Sequence, residues 1–277
     1  GWQEELLGEL RQVVADCLAG PDAPAREPLA VRLRKGLTAA GLSEAEAEAW
    51  IADTPNFYEH GLSAAEITRQ AQVLRTARAR GAGLARELSG KGAIVTAAVR
   101  DRHALFADVA ATLSGHGFDI VDLRTWITRS GKVLYTMRLA SIYPGRMGEE
   151  ALWARLSADL LAVSRGTLDA RTLLDKRRAA VRTARAADSG FEDHAVKIDS
   201  ATSERFSIVD VVTRDDVGLL SRLCRAISGY GCEIGYACIN TMGDVAVDVF
   251  YVSKDGRKLD EAEAEGLRRH VVGELGL

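Results

Sequence analysis

The sequence predicts an α+β protein: an N-terminal helical unit, then two copies of a strand–helix–strand–strand–helix sandwich with antiparallel sheets. Three observations carry this. Phe206 to Leu259 switches from β-branched residues to helical spacing and back. The same order recurs from Ala93, with Asp101 and Asp215 about 114 residues apart, too long a period for a short solenoid. Before it, Ser43-Glu44-Ala45-Glu46 and Ser63-Ala64-Ala65-Glu66 both fit the capping box.

Residues 1–88 read as the helical segment. Trp2, Leu6, Leu10, Val13 (or Val14) and Cys17 recur at helical spacing and stop at Gly20-Pro21. Leu29 to Ala40 is a second helix, ended by Gly41, and the capping boxes start helices near 44 and 64, the latter running to about Arg80. Residues 89–166 are the first repeat: a strand over Ala93 to Val99, a turn at Asp101 to Phe106, Gly117-Phe118-Asp119-Ile120 opening the next strand, a hairpin at Arg129 to Lys132, and a helix marked by Leu152, Leu156, Leu160 and Val163.

Residues 167–191 form a basic helical connector carrying Arg171, Lys176, Arg177, Arg178, Arg182 and Arg185. Such a run is a solvated face or a docking surface for an acidic partner or another domain. In residues 192–277, Val196 to Asp199 is an extra strand able to supply the edge that the second repeat lacks at its C-terminal end. Phe206 to Thr213 leads into Arg214 to Gly218, and Leu219, Leu223, Cys224 and Ile227 line one helix face. Gly229 and Gly231 close that helix. Two strands follow around Met242-Gly243-Asp244, a hairpin by its length and its glycine. In the second, Val245, Val247, Val249 and Tyr251 share one face, and Ala246, Asp248, Phe250 and Val252 the other. Ala264, Leu267, Val271 and Leu275 make the last amphipathic helix.

Composition narrows the function classes. A net charge of −3 gives no electrostatic reason to expect nucleic acid or an anionic membrane as partner, and 47 % hydrophobic residues suffice for a core. No apolar run approaches the ~20 residues of a membrane span. There is no signal peptide, and Cys17, Cys224, Cys232 and Cys238 lack metal or redox spacing, so a cytoplasmic location with reduced cysteines is expected. The opening Gly-Trp, in place of Met, is expected of a segment cut from a longer protein.

Asp215…Gly218-Leu219-Leu220, Gly231-Cys232-Glu233-Ile234 and Ala246-Val247-Asp248-Val249-Phe250-Tyr251-Val252 resemble an ACT domain. The VDVFYV run followed by Asp255-Gly256-Arg257-Lys258-Leu259 is similar to the last ACT domain of bacterial PII-protein uridylyltransferases, bifunctional enzymes that add UMP to PII and remove it. Asp53-Thr54-Pro55-Asn56-Phe57-Tyr58 resembles the segment that joins their catalytic HD domain to the ACT pair. The resemblance implies two ferredoxin-like (βαββαβ) ACT domains, packed on each other within the chain or in a homodimer. It implies a C-terminal region that senses glutamine for nitrogen control, with PII signalling protein as a partner through the parent enzyme. A free-standing tandem ACT sensor of another amino acid and a non-sensing scaffold that docks PII are the alternatives.

A site for an amino acid needs partners for a carboxylate and an ammonium. The turns at Asp101, Arg102 and Leu105, and at Asp215, Asp216, Val217, Gly218 and Leu219, lead into helix N-termini, where unpaired N–H groups and the dipole attract a carboxylate. Asp119-Ile120 and Glu233-Ile234 open the following strands, and the acids suit an ammonium. The blander reading is that Asp215 and Asp216 merely favour a helix start and Gly218 merely turns the chain. The family's turn commonly reads Asp-Arg-Pro-Gly-Leu, and its usual asparagine before Ile is Asp119 or Glu233 here. His103-Ala104 in the first repeat and Asp216-Val217 in the second also depart from it, so unequal sites are expected, with 215–219 the better cradle. Among His60, His103, His116, His194 and His270 there is no His-Asp pair, and no nucleotidyltransferase, P-loop or zinc signature occurs. The chain is expected to carry no catalytic residues, no metal site and no cofactor, magnesium belonging to the parent's catalytic domains.

Overall fold

The structure, a computed structural model, describes residues 29–277 apart from 40, 55–63, 90–91, 142–144, 146, 183–193 and 243. The helix expected from Trp2, the stretch Pro55 to Tyr58 and Arg185 therefore lie outside the described residues, as does Ser63 of the second capping box. The helical segment gives α1 (Leu29–Ala39), α2 (Glu44–Asp53) and α3 (Ala64–Arg80). Ser43 caps α2 as read: its hydroxyl accepts from the Glu46 N–H, and the Glu46 carboxylate takes the Ser43 N–H at 2.8 Å.

The first repeat comprises β1 (Ala82–Ser89), β2 (Gly92–Arg100), α4 (Leu105–Gly115), β3 (Phe118–Ile127), β4 (Lys132–Ser141) and α5 (Glu150–Ser164). The connector is α6 (Ala170–Arg182). The second repeat comprises β5 (Ala195–Asp199), β6 (Ser207–Arg214), α7 (Leu219–Gly229), β7 (Glu233–Met242), β8 (Val245–Ser253) and α8 (Glu261–Leu275). The α+β class with two ferredoxin-like halves holds. In each half the edge strand comes first, giving ββαββα, so the edge is filled from the N-terminal side of each unit. β5 does this for the second half as expected. Residues 82–88, assigned by sequence to the helical segment, belong to β1, the matching edge of the first.

The strands form one antiparallel sheet in the order β1-β2-β4-β3-β7-β8-β6-β5. The halves meet at β3 and β7, where Asp122 pairs with Cys238, Leu123 with Ala237 and Arg124 with Tyr236. Asp122 and Tyr236 are equivalent residues of the two repeats, as are Arg124 and Cys238. The junction is therefore a pseudo-two-fold through Leu123 and Ala237, the isologous contact of a symmetric dimer made within one chain.

One face of the sheet carries α4, α5, α7 and α8 over a continuous core that includes Phe118, Trp153, Leu223 and Phe250. Alternation along β8 divides as read: Ala246, Phe250 and Val252 join that core, while Val247, Val249 and Tyr251 join the opposite face. On the first half α3 crosses that opposite face, burying Ile67 and Leu74 with Ala98 and Leu134. Its Gln70 amide donates to Thr136 Oγ1 at 3.2 Å.

Candidate functional site

Each half turns from strand to helix in the same way. In the second, Asp215 donates its N–H to Asp244 O at 2.7 Å and Leu219 donates to Asp216 O at 2.9 Å. In the first, Asp101 donates to Gly131 O and Leu105 to Arg102 O, both at 3.1 Å. The residue just before the helix must take the left-handed conformation: Gly218 has φ 80 and Ala104 φ 55. Glycine adopts it freely, whereas alanine carries a Cβ penalty there.

The pseudo-two-fold then decides which residues meet. The turn of each half faces the start of the partner half's strand, not its own. Asp215, Asp216, Val217, Gly218 and Leu219 share a cavity of about 280 Å³ with Asp119 and Ile120. Asp101 lies close enough to Glu233 to raise its pKa, after burial, the larger cause. The sequence grouping by repeat is thus exchanged across the axis. Arg102 and Leu105 do not join the cavity: Leu105 is core, and Arg102 pairs with Asp108 Oδ2 at 2.6 Å and donates to Val163 O at 3.2 Å. Glu233 lines a separate open depression with Arg257 and Lys258, and Ile234 packs against the core.

Two functional candidates escaped the sequence reading. Asp248 of β8, 2 % exposed, is the most enclosed polar residue of the cavity wall. Its Oδ1 has no hydrogen-bond partner. Burial, with a push from Asp215 and a counter-pull from the Asn240 amide, raises its pKa to about 8. The legible signal was a lone acid between Ala246 and Phe250 on the core face. The second is Arg177, which lines the cavity with its Nε also unpartnered. Asp119 shifts upward because of burial, tempered by Arg177 and reinforced by Asp215.

Arg177 arrives because α6 docks onto the turn. Leu174 is buried, and a Cβ added at Gly218 would lie 2.5 Å from its Cδ2. Arg178 Nε donates to Val217 O at 2.9 Å. Gly218 is therefore needed for its φ and for Leu174. A valine there would strain the fold, so it makes a poor probe of binding. The solvated-face reading of the connector suits the exposed Arg171 and Lys176 but not Arg177 and Arg178, which are half-buried. Arg178→Ala should cost about 1–2 kcal/mol in urea unfolding by removing a charged donor from a carbonyl, while Arg171→Ala should stay within ~0.5 kcal/mol. Equal effects would mean that α6 is not seated on the turn.

The halves are further locked where Ser221 Oγ donates to Ala107 O at 2.8 Å and Arg225 meets Asp108 Oδ1 at 2.7 Å. In the first half Tyr135 stands at the position of Asp248 in the paired registers, buried against Phe106 with ring centroids 5.5 Å apart. Among the described residues no group of three His, Cys, Asp or Glu side chains is placed to hold a metal ion, and no helix is long and apolar enough to cross a membrane.

The fold and cleft define a class: a protein of two ferredoxin-like halves in tandem, with a small cavity between them walled by the connecting helix. Its relatives carry a more particular name. The chain is 33 % identical over 276 residues to the bifunctional uridylyltransferase/uridylyl-removing enzyme of Phenylobacterium zucineum, covering 95 % of this chain and 28 % of the relative. It is 29 % identical over 287 aligned positions to the enzyme of that name from Caulobacter vibrioides, covering 99 % of this chain and 30 % of the relative. The chain spans about three tenths of the length of these curated relatives. It corresponds to one region of such enzymes, with the span expected of their C-terminal regulatory part. No protein-family model matches. A crystal structure of a protein assigned as a glycine cleavage system transcriptional repressor aligns at 13 % identity and a TM-score of 0.23, over 66 % of this chain and 91 % of that one. That score is too low to support an argument.

Proposed function

We propose that the chain is the glutamine-sensing regulatory region of a bifunctional PII uridylyltransferase/uridylyl-removing enzyme, and that the effector binds in the cavity at the 215–219 turn. One observation carries the reading: the cavity is lined by the second half's turn, the first half's Asp119 and the connector's Arg177 together. A ligand there touches three segments whose relative placement a regulator must control, and it favours the arrangement in which they converge. At about 280 Å³ the cavity falls just below the roughly 300–1,000 Å³ of clefts for drug-sized ligands, which suits a smaller molecule. Leu220 and Ser221 bring the first turn of α7 into the wall. The N–H groups of a helix's first turn have no partner within the helix and favour a carboxylate. PII and the catalytic steps that act on it belong, in this reading, to the rest of the parent enzyme.

L-glutamine at a hundredfold excess over its Kd should stabilise the fold by about 2.7 kcal/mol, visible as a rise of several degrees in Tm. L-glutamate should do less, because its second carboxylate meets Asp119, Asp215 and Asp248. An unchanged Tm in millimolar glutamine would remove the sensing reading.

A further inference from the structure

We propose that Asp248 and Arg177 form the recognition pair of this cavity, Asp248 holding the α-ammonium of an α-amino acid and Arg177 its α-carboxylate. The assignment rests on the amino-acid reading above and specifies which groups perform it. A nine-tenths-buried side-chain oxygen without a partner is costly to leave so. Here an acceptor and a donor, Asp248 Oδ1 and Arg177 Nε, stand unpartnered in one wall. A dipolar ligand supplies what each lacks: an ammonium gives Asp248 three donors, and a carboxylate accepts the guanidinium fork. A simple anion would leave Asp248 unanswered and meet Asp119 and Asp215 as well, and a simple cation would leave Arg177 unanswered.

The pseudo-symmetry gives an internal comparison. The first half makes the same turn and places an acid, Glu233, near it. It has Tyr135 in place of Asp248, buried against Phe106. The same backbone therefore appears once with a buried carboxyl and once with a buried ring. The pair also joins two elements that sequence separates, β8 and α6, so occupying it fastens the connector to the second half through the ligand.

Calorimetric titration of the 277-residue protein with L-glutamine, its des-amino analogue and its decarboxy analogue tests this. Asp248→Asn and Arg177→Gln should each weaken glutamine binding about tenfold to a hundredfold, the worth of one charge-assisted hydrogen bond. The des-amino analogue should bind the parent weakly and lose nothing further on Asp248→Asn. The decarboxy analogue should show the same insensitivity to Arg177→Gln. That matching separates recognition from general damage, which would weaken all three ligands in both variants. Glutamine binding unchanged in both variants overturns the pair while leaving the amino-acid reading intact, as does a uniform loss for every ligand. Absence of binding by any of the twenty amino acids overturns both.

Discussion

Asp248→Asn should make the ligand-free protein more stable, by an amount that grows with pH. The carboxyl is buried against Val211 and Ile239 of the neighbouring strands, and its pKa moves from 3.8 to about 8. Between those values the folded protein keeps a proton that the unfolded chain has released. The folded state then binds more protons, so the stability of the parent falls as pH rises through this window. Below pH 4 both states are protonated and the group contributes no pH dependence. At about 1.4 kcal/mol per pH unit, the accumulated loss by pH 8 is roughly 5 kcal/mol. Asparagine has the same shape and no charge to bury, so its advantage should be near zero at pH 4 and greatest near pH 8, then constant. Urea unfolding at pH 5, 6.5 and 8 reads this directly, and parallel stability curves for the two proteins would contradict it. The variant predicted to gain stability is the one predicted to lose glutamine. A buried acid retained at such a cost is what a binding site that trades stability for recognition should show.

Gly83→Val should be the most damaging substitution outside the cavity. At Gly83 the backbone of β1 runs directly against α3. A Cβ built there would fall on the carbonyl oxygen of Val73, with Ala77 N at 3.1 Å. Both are backbone atoms of one helix, so no rotamer change relieves the contact. The helix must lift from the strand and uncover Ile67 and Leu74. Overpacking of this kind usually costs 1–3 kcal/mol, and with rigid backbone on both sides about 3 kcal/mol or more is expected. Gly273→Ala in α8 is the control: nothing lies within 4 Å of the added carbon, and a gain of about 0.5–1 kcal/mol is expected from helix propensity alone. Thermal unfolding distinguishes the two. A Gly83→Val protein that melts with the parent would show that α3 is not seated on β1.

The sequence by itself determined the elements whose local chemistry is unambiguous. The alternation of β8 reported its two faces, because period-two burial has one solution for a strand with a helix layer on one side. Leu219, Leu223, Cys224 and Ile227 gave α7 its buried stripe, and Ser43 with Glu46 gave α2 its start. The repeat was legible from the paired Asp101 and Asp215 turns, and the edge strand β5 from Val196 to Asp199. Three things were decided only by tertiary structure. Residues 82–89 are rich in Ala, Leu, Arg and Glu, with no β-branched residue, so nothing local favours a strand. Their N–H and C=O groups are satisfied by the exposed edge of β2. The partners of the site followed from the pseudo-two-fold at Leu123 and Ala237, which sets Asp119 of one repeat against the 215–219 turn of the other. No spacing within a repeat contains that operation. Finally, the basic connector could be charged surface or site until α6 was placed. Only the fit of Leu174 over Gly218 puts Arg177 into the cavity and Arg178 on Val217, because contacts between distant segments depend on how the whole chain packs.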